Sequence, residues 1–151
     1  MSEENRPAED MPQLQLDSQL CFPLYASARR VVSIYTPLLK PLGLTYTQYI
    51  VFLALWESGG ATVGDLCRRL YLDNGTVTPL LKKMEEEGFI QRSRSKQDER
   101  IVTVTVTEKG WGLRQQVQHI PQQVGCRIPL THDEAYQLYG LLRKMLETME
   151  P

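Results

Sequence analysis

A change of hydrophobic period near residue 88 constrains the fold more than any other feature of this chain. Upstream of it, apolar side chains recur at i, i+3, i+4 and i+7 from Val77 to Met84, which makes one face of a helix apolar. Downstream of it, residues 102–107 alternate valine and threonine, the period of a half-buried strand. Gly88 stands between the two patterns and is expected to end the helix. The sequence therefore predicts a helix followed by a β-hairpin.

A short amphipathic helix is predicted directly upstream, over residues 63–70. Residues 71–75 join it to the next helix and contain a glycine, as a helix-turn-helix unit requires. The second helix of such a unit enters the major groove of DNA. The sequence leaves its start open, because Pro79 lacks the amide that an interior helical position donates. Either the regular helix begins near Thr76, or it tolerates a lost hydrogen bond.

The polar loop between the two predicted strands, residues 95–100, forms a projecting wing. From Gln91 to Arg100 the chain carries four cations and two carboxylates, whereas the net charge of the whole chain is −1. DNA-binding domains are often basic overall, so DNA binding is inferred here from where the charges lie. The helix-turn-helix and the wing together predict contacts with two grooves of duplex DNA.

Candidate DNA contacts follow from these positions. The second helix presents short hydroxyls and cations beside its apolar face, and the wing presents an arginine that Asp98 is expected to orient. Narrow A·T-rich minor grooves attract such an arginine. The predicted set is Thr76, Thr78 and Lys82 in the major groove with Asn74 near its entrance, Arg100 with Asp98 in the minor groove, and Arg92 and Lys96 on phosphates.

Composition and the cysteine count exclude several classes of protein. At 151 residues, 42% hydrophobic and 23% charged, the chain fits one globular domain with a sizeable core. No apolar run approaches the roughly 18 residues of a membrane span, and no signal-peptide arrangement opens the chain, so a cytosolic protein is expected. Three cysteines without paired metal-ligand spacing argue against a disulfide framework and a zinc site, and no cofactor is expected.

The rest of the chain divides into a tail and flanking helices. Residues 1–17 are polar and are expected to form a flexible tail. Residues 18–151 are predicted to form one mostly α domain with a small hairpin wing. Its winged helix-turn-helix region covers residues 47–107, between dimerisation helices over 18–46 and 108–150. The first of these helices is apolar on more than one side, so it needs more than its own domain to cover it.

The C-terminal helices carry start and stop signals. Residues 131–134 form a capping box that opens the last helix. The helix that starts near Glu108 is expected to break at Pro121 and Gly125. Terminal helices around a winged helix-turn-helix suggest a symmetric dimer. Its two reading helices would meet half-sites roughly 34 to 36 Å apart, or multiples of that, on a near-palindromic operator.

The chain resembles the MarR family of bacterial regulators. Asp98-Glu99-Arg100, the strand 102–107 and Glu108-Lys109-Gly110 are similar to that family's wing and exit, and the order of helices matches over about residues 18 to 150. Other matches resemble its organic hydroperoxide resistance regulators: Gln19-Leu20-Cys21-Phe22, Leu24-Tyr25-Ala26-Ser27, Tyr35, Pro37-Leu38-Leu39, Thr45-Tyr46, Gln48-Tyr49, Leu55-Trp56-Glu57, Tyr71-Leu72-Asp73 and Gly75-Thr76. The resemblance implies a repressor, not an enzyme, that releases its operator when an organic hydroperoxide oxidises one cysteine.

Under this resemblance Cys21 is the redox-sensing cysteine. Tyr35 and Tyr46 can supply phenolic hydrogen bonds to a thiolate and so favour the charged form. Cys21 and Tyr35 are 14 residues apart, about 21 Å along one helix, so Tyr35 can reach only the Cys21 of another subunit. The resemblance implies this cross-subunit arrangement. Tyr25, at i+4, is a helical neighbour of Cys21.

Two further features concern Pro23 and Cys126. A helix that started at Ser18 would lose a backbone bond at Pro23, whereas a first turn at about Cys21 would avoid this and place free amides near the thiol. Cys126 lies in the connection 121–129, which is expected to be mobile. The resemblance places Cys126 like the distal cysteine of two-cysteine members, which traps the oxidised sulfur of the other subunit as a disulfide.

Other interpretations stay open. Cys67 lies in the short helix before the reading helix, where core packing is the simplest role for it. A phenolic or other apolar ligand, bound between the dimer helices and the wing domain, would release DNA without using Cys21. A thiol peroxidase would instead turn over peroxide at Cys21.

Overall fold

The computed structural model describes residues 11–149 as a mostly helical chain with one small sheet, which confirms the predicted fold class. Residues 1–10 of the predicted tail and residues 150–151 lie outside the described residues. Residues 11–18 form two short 3-10 turns whose side chains are all exposed. The helices are α1 (Cys21–Leu39), α2 (Tyr46–Ser58), α3 (Val63–Leu70), α4 (Asn74–Glu86), α5 (Glu108–Val117), α6 (Ile120–Gly125) and α7 (His132–Thr148), and the strands are β1 (Gly60–Thr62), β2 (Ile90–Arg94) and β3 (Val102–Val106).

The hydrophobic core is built around α2, which buries residues on several of its sides. Phe52 of α2, Met84 of α4 and Val104 of β3 are each 0% exposed. The Phe52 ring stacks on Trp56 at 5.1 Å and meets Phe89 edge-on at 5.7 Å. These contacts hold the reading helix α4 and the sheet on one shared core.

The start of α2 is fixed by a capping box. The Gln48 amide N–H donates to Thr45 Oγ1, and the Thr45 amide N–H donates to Gln48 Oε1 at 2.9 Å. Among the described residues Gln48 is the one buried polar side chain, and its Nε2 donates to Glu87 Oε2 at 3.3 Å. The side chain therefore links the first turn of α2 to the end of α4.

The wing belongs to a three-stranded antiparallel sheet of order β1-β3-β2. The predicted hairpin is present, with Ile90 opposite Val106. A further strand that the sequence pattern did not indicate, β1, pairs with β3 and places Gly60 opposite Thr105. Three residues are too few to show the period of a strand, and the partner strand lies far along the chain. β1 fixes the wing to the start of α3.

The structure resolves the open question at the start of the reading helix. The helix begins at Asn74, behind the cap residue Asp73, and Pro79 lies inside it. Of the two alternatives, the helix that tolerates a lost hydrogen bond is the one observed.

The predicted break in the helix that starts at Glu108 is observed, but it lies at residues 118–119, just before Pro121. Pro121 is the second residue of α6 and Gly125 is the last. A proline fits there because first-turn amides have no helical acceptor. The capping box of the last helix is confirmed, since Thr131 and Glu134 bond each other's backbone amides.

The C-terminal helix α7 buries none of its residues within the chain. Tyr136 is 74% exposed, Tyr139 63% and Leu141 62%. Within residues 11–149 no single helix has the length and hydropathy to cross a membrane, although the bent pair of residues 21–42 and 46–58 reaches them together.

Candidate DNA-binding surface and thiol site

The first candidate surface is a cleft of about 640 Å³ between α4, the start of α3 and the wing. Four of the predicted contacts line it: Asn74, Thr78, Arg92 and Arg100. Lys82 is exposed on α4, with its Nζ 4.0 Å from Glu86 Oε1. The chain thus brings Thr78 of the predicted major-groove set and the predicted minor-groove Arg100 to one concave surface, whereas Thr76 and Lys82 do not line it.

Asp73 sets the start of the reading helix. Its Oδ1 accepts the Thr76 amide N–H at 2.8 Å, and its Oδ2 accepts the Thr76 hydroxyl at 3.0 Å. The bonds from Thr76 hold the pKa of Asp73 below its ordinary value. Because Thr76 already donates to its own helix cap, its contact with DNA stays a prediction.

The wing loop is ordered by short-range hydrogen bonds. Ser95 Oγ accepts the amides of Gln97 at 3.2 Å and Asp98 at 3.3 Å. Asp98 Oδ1 accepts the backbone amide of Arg100 at 3.0 Å. Asp98 therefore orients the backbone at Arg100, and within the described residues neither the Arg100 guanidinium nor the exposed Lys96 ammonium forms an ion pair.

Arg92, which is predicted to contact a phosphate, already bonds to the Glu85 carboxylate of the same chain. Its Nε donates to Glu85 Oε2 at 2.9 Å, and its backbone amide donates to Glu85 Oε1 at 2.7 Å. These bonds, the backbone one foremost, lower the pKa of Glu85. Arg92 thus anchors β2 to α4, and its phosphate contact stays a prediction. Arg94, to which the sequence analysis gave no role, lines the cleft and donates from Nη1 to Glu99 O at 3.1 Å.

Cys21 is exposed and is the first residue of α1. Pro23 therefore falls in the first turn, which confirms the start at Cys21 rather than at Ser18. First-turn amides lack helical acceptors, so free N–H groups lie close to the residue that bears the sulfur. Cys21 occupies the end of α1 opposite to Tyr35.

Two of the predicted supporting tyrosines come together. The rings of Tyr35 and Tyr46 lie 4.7 Å apart, at the junction of α1 and α2. Tyr49, which the sequence analysis did not select, adds a third ring at 5.6 Å from Tyr35 and 6.4 Å from Tyr46. Burial raises the pKa of all three phenols, so they are neutral hydrogen-bond donors at neutral pH. These three side chains are called the phenol cluster below.

Tyr25 lies on the exposed side of α1. It is 61% exposed, and the Arg29 guanidinium lies 5.5 Å from the centre of its ring. As the i+4 spacing predicted, it is one helical turn from Cys21. Within one chain it lies apart from the phenol cluster, and its support of a Cys21 thiolate stays a prediction.

The other two cysteines have different surroundings. Cys126 caps the C-terminus of α6, and its amide donates to Gln122 O at 3.0 Å. Its side chain is exposed, but it follows a helix rather than a mobile connection. Cys67 packs against the core, with its Sγ 3.6 Å from Asn74 Oδ1.

A second cleft, of about 650 Å³, opens between α2 and α5. We call it the aromatic cleft, and its main walls are Tyr49, Leu53, Trp56, Trp111, Arg114 and Pro121. The Trp56 Nε1–H donates to Gly110 O at 3.3 Å and fixes one wall. Tyr49 belongs both to this cleft and to the phenol cluster.

Sequence comparison relates the chain to transcriptional regulators. Residues 33–117 match the family described as transcriptional regulator SarA/Rot. The organic hydroperoxide resistance transcriptional regulator of Bacillus subtilis (strain 168) is 43% identical over 136 residues, which are 90% of this chain and 92% of that protein.

Solved structures give the same relationship. Reduced AbfR bound to DNA is 33% identical, with a TM-score of 0.74 over 89% of this chain and 94% of AbfR. AbfR has also been solved overoxidised on DNA and with a disulfide formed. A mutant MarR from E. coli on operator DNA is 26% identical, with a TM-score of 0.77 over 84% of this chain and 93% of MarR. The winged helix-turn-helix is thus shared with regulators that have been seen on duplex DNA.

Proposed function

This chain belongs to the MarR family of transcriptional regulators, and on that premise we propose that it is a homodimeric repressor that senses organic hydroperoxides by oxidation of Cys21. Its relatives are DNA-binding transcriptional regulators and not enzymes, so turnover of peroxide as a thiol peroxidase is set aside. In the proposal, oxidation makes the dimer release a pseudo-palindromic operator. Its place of action is the bacterial cytoplasm, where that operator lies.

The observation that carries the proposal is the pairing of Tyr35 with Tyr46. Two half-buried neutral phenols whose ring centres lie 4.7 Å apart would together donate to an anionic acceptor. Cys21 lies at the opposite end of α1, about 21 Å along the helix. A second α1 packed antiparallel would bring its Cys21 to these phenols. The site around the thiol would then be complete only in a dimer.

The first turn of α1 supplies further hydrogen-bond donors near Cys21. Its free amides, at the positive end of the helix dipole, lie next to Cys21 and would donate to a negatively charged sulfur. Tyr25 of the same chain would shield one side of the sulfur. The thiolate is the form that attacks a peroxide, and the product is a sulfenic acid.

The exposed apolar side chains at the two ends of the chain support the dimer. At the start of α1, the cap residue Leu20 is 77% exposed and Phe22 is 41% exposed. On α7, large apolar residues are exposed along the whole helix, which has no buried residue. Exposed apolar surface of this extent marks a protein interface. We assign residues 18–46 and 108–150 to dimerisation and residues 47–107 to DNA binding.

Cys126 is proposed as the resolving cysteine. It is exposed at the end of α6, where a thiol of one subunit can meet the oxidised Cys21 of the other. Its thiolate would attack the sulfenic sulfur, so that the S–S bond forms and the S–O bond breaks, and the hydroxide that leaves would take up a proton from solvent to become water. Such a disulfide is reversible by small thiols, whereas further peroxide would give irreversible acids. The disulfide form of AbfR is a precedent in a relative.

The proposed DNA contacts lie in or beside the cleft between α4 and the wing. Thr78 and Lys82 would read the major groove, with Asn74 at its entrance, and Arg100 would enter the minor groove. Lys96 is assigned to phosphate. Movement of the oxidised dimer helices would change the separation of the two reading helices and so weaken operator binding.

The test is a gel shift on an operator duplex, which the reduced protein itself selects from random-sequence duplexes. One equivalent of cumene hydroperoxide should release the wild type and Cys67→Ser, whereas Cys21→Ser should stay bound. Mass spectrometry of the released protein should show Cys21 of one chain joined to Cys126 of the other. Release of Cys21→Ser to the same extent as the wild type would overturn the proposal.

A non-covalent apolar inducer is the second candidate, and the aromatic cleft favours it. The cleft is large enough for a drug-sized aromatic molecule and is walled by two tryptophans. Cumyl alcohol has the shape of cumene hydroperoxide without the O–O bond, so it separates the two candidates. Release of DNA by cumyl alcohol would favour the ligand, and release only by the hydroperoxide would favour oxidation.

A further inference from the structure

Tyr49 connects the phenol cluster to the aromatic cleft. It is 2% exposed, and its ring packs against both other phenols. Besides burial, the neighbouring Tyr35 and Tyr46 raise the pKa of Tyr49, so the three phenolic groups lie within electrostatic reach of one another. Of these three phenols, Tyr49 alone lines the aromatic cleft.

The two sides of Tyr49 match the two ends of an organic hydroperoxide. Leu53, Trp56 and Trp111 offer apolar walls that suit the organic group. The phenol cluster lies beside them, where the proposed function places the sulfur of the partner's Cys21. A hydroperoxide bound between these two features would have its O–O bond next to Tyr49.

We propose that the Tyr49 hydroxyl donates a proton to the alkoxide that leaves when Cys21 is oxidised. The inference rests on the proposed function and adds a residue and an orientation of the peroxide to it. The thiolate sulfur attacks the terminal peroxide oxygen, the O–O bond breaks and the S–O bond forms. Sulfur is oxidised by two electrons to a sulfenic acid, and the peroxide is reduced to an alkoxide. Tyr49 converts the alkoxide into an alcohol, and a proton from water restores the phenol.

The chemistry of a buried phenol suits this role. Burial disfavours the phenolate, so Tyr49 keeps its proton over the neutral pH range. An alkoxide is a far stronger base than a phenolate, so transfer is downhill even from a weakened acid. Tyr35 and Tyr46 remain free to hold the thiolate, so the cluster divides into two donors for the sulfur and one for the leaving oxygen.

The test compares two reactions of Cys21 in the full-length dimer. Oxidation by cumene hydroperoxide breaks an O–O bond and releases an alkoxide, whereas alkylation by iodoacetamide needs only the thiolate. Both rates are followed by mass spectrometry of the Cys21 peptide between about pH 5 and pH 10. Tyr49→Phe keeps the ring and removes the hydroxyl, and the exposed Tyr71→Phe serves as the control.

Tyr49→Phe should slow oxidation about 100-fold, the lower range for loss of a general acid, and should leave the rate and pH profile of alkylation unchanged. Wild-type oxidation by Tyr49→Phe would overturn the inference. An equal fall in both rates would also overturn it, because the hydroxyl would then act on the thiolate or on the fold. A wild-type Cys21 that does not react with the hydroperoxide would overturn the proposed function itself, and this inference with it.

Discussion

The winged helix-turn-helix region and the last helix bury their apolar side chains in different ways. In the former, Phe52, Leu81 and Met84 are 0% exposed because α2, α4 and the sheet cover one another. In the latter, α7 has no buried residue, and Tyr136 is 74% exposed. The DNA-reading part of the chain completes its own core, whereas α7 leaves its apolar side chains exposed, for the proposed dimer to cover.

Local helix signals do not account for this difference. Both α2 and α7 begin with a complete capping box, Thr45 with Gln48 and Thr131 with Glu134. In α2 the Gln48 side chain is 0% exposed and also reaches Glu87. In α7 the matching glutamate is exposed. The difference lies in packing, so substitutions in the two regions should affect different measurements.

The largest expected effect comes from a charge on the apolar face of α7. Leu138→Glu should dissociate the dimer, because Leu138 is 44% exposed in the single chain and the proposed interface would bury it. Operator affinity should fall about 1,000-fold, because the two half-sites would no longer be bound together. Sedimentation and gel shift measure these changes, and Lys144→Glu is the charge-change control. A variant that remains dimeric would break the contrast between the two regions.

Two glycines form a second matched pair. A Cβ on Gly110 would lie 2.3 Å from the Phe89 carbonyl oxygen, so Gly110→Ala should lower the free energy of unfolding by about 3 kcal/mol. A Cβ on Gly140 of α7 would meet nothing within 4 Å, so Gly140→Ala should raise it by up to about 1 kcal/mol. Urea denaturation measures both. Destabilisation by Gly140→Ala would show that the second chain packs against α7 at that point.

The sequence predicted the positions of those helices and strands whose signals lie within a short stretch of the chain. The amphipathic α3, the capping box at Thr131 and the alternation in 102–106 were all predicted at their observed positions. The short strand β1 and the helical position of Pro121 were missed, because each depends on non-local pairing or on the exact start of a helix.

In the candidate site, too, the sequence predicted the features that have a local pattern and not those that depend on contacts between elements. The apolar stripe of α4 predicted that Thr78 and Lys82 are exposed, as they are. The ion pair of Arg92 with Glu85 joins two different elements, and no pattern within either one indicates it. Tyr49 was overlooked because it lies on a helix that is apolar almost all round, where its role in a cluster depends on the approach of α1.

The smallest expected effect is a pH dependence that is carried by Glu85. Its pKa is lowered from 4.5, first by the Arg92 backbone amide and then by the Arg92 side chain. A carboxylate with a lowered folded pKa stabilises the fold above its unfolded pKa, and this contribution disappears as the pH falls through the folded value. Glu85→Gln should therefore lower the free energy of unfolding by up to about 1 kcal/mol at pH 7, and the difference from the wild type should vanish in acid below the folded pKa.

Glu134→Gln on α7 is the matched variant, since the Thr131 amide lowers the pKa of Glu134 in the same direction but in full exposure to solvent. Urea denaturation at a series of pH values below 7 measures both variants. Glu134→Gln should change unfolding less than Glu85→Gln near pH 7, because no second element depends on its cap within one chain. A larger effect of Glu134→Gln would show that the dimer covers the start of α7. The reading region would then be stable within one chain, whereas even the first turn of α7 would depend on the second chain.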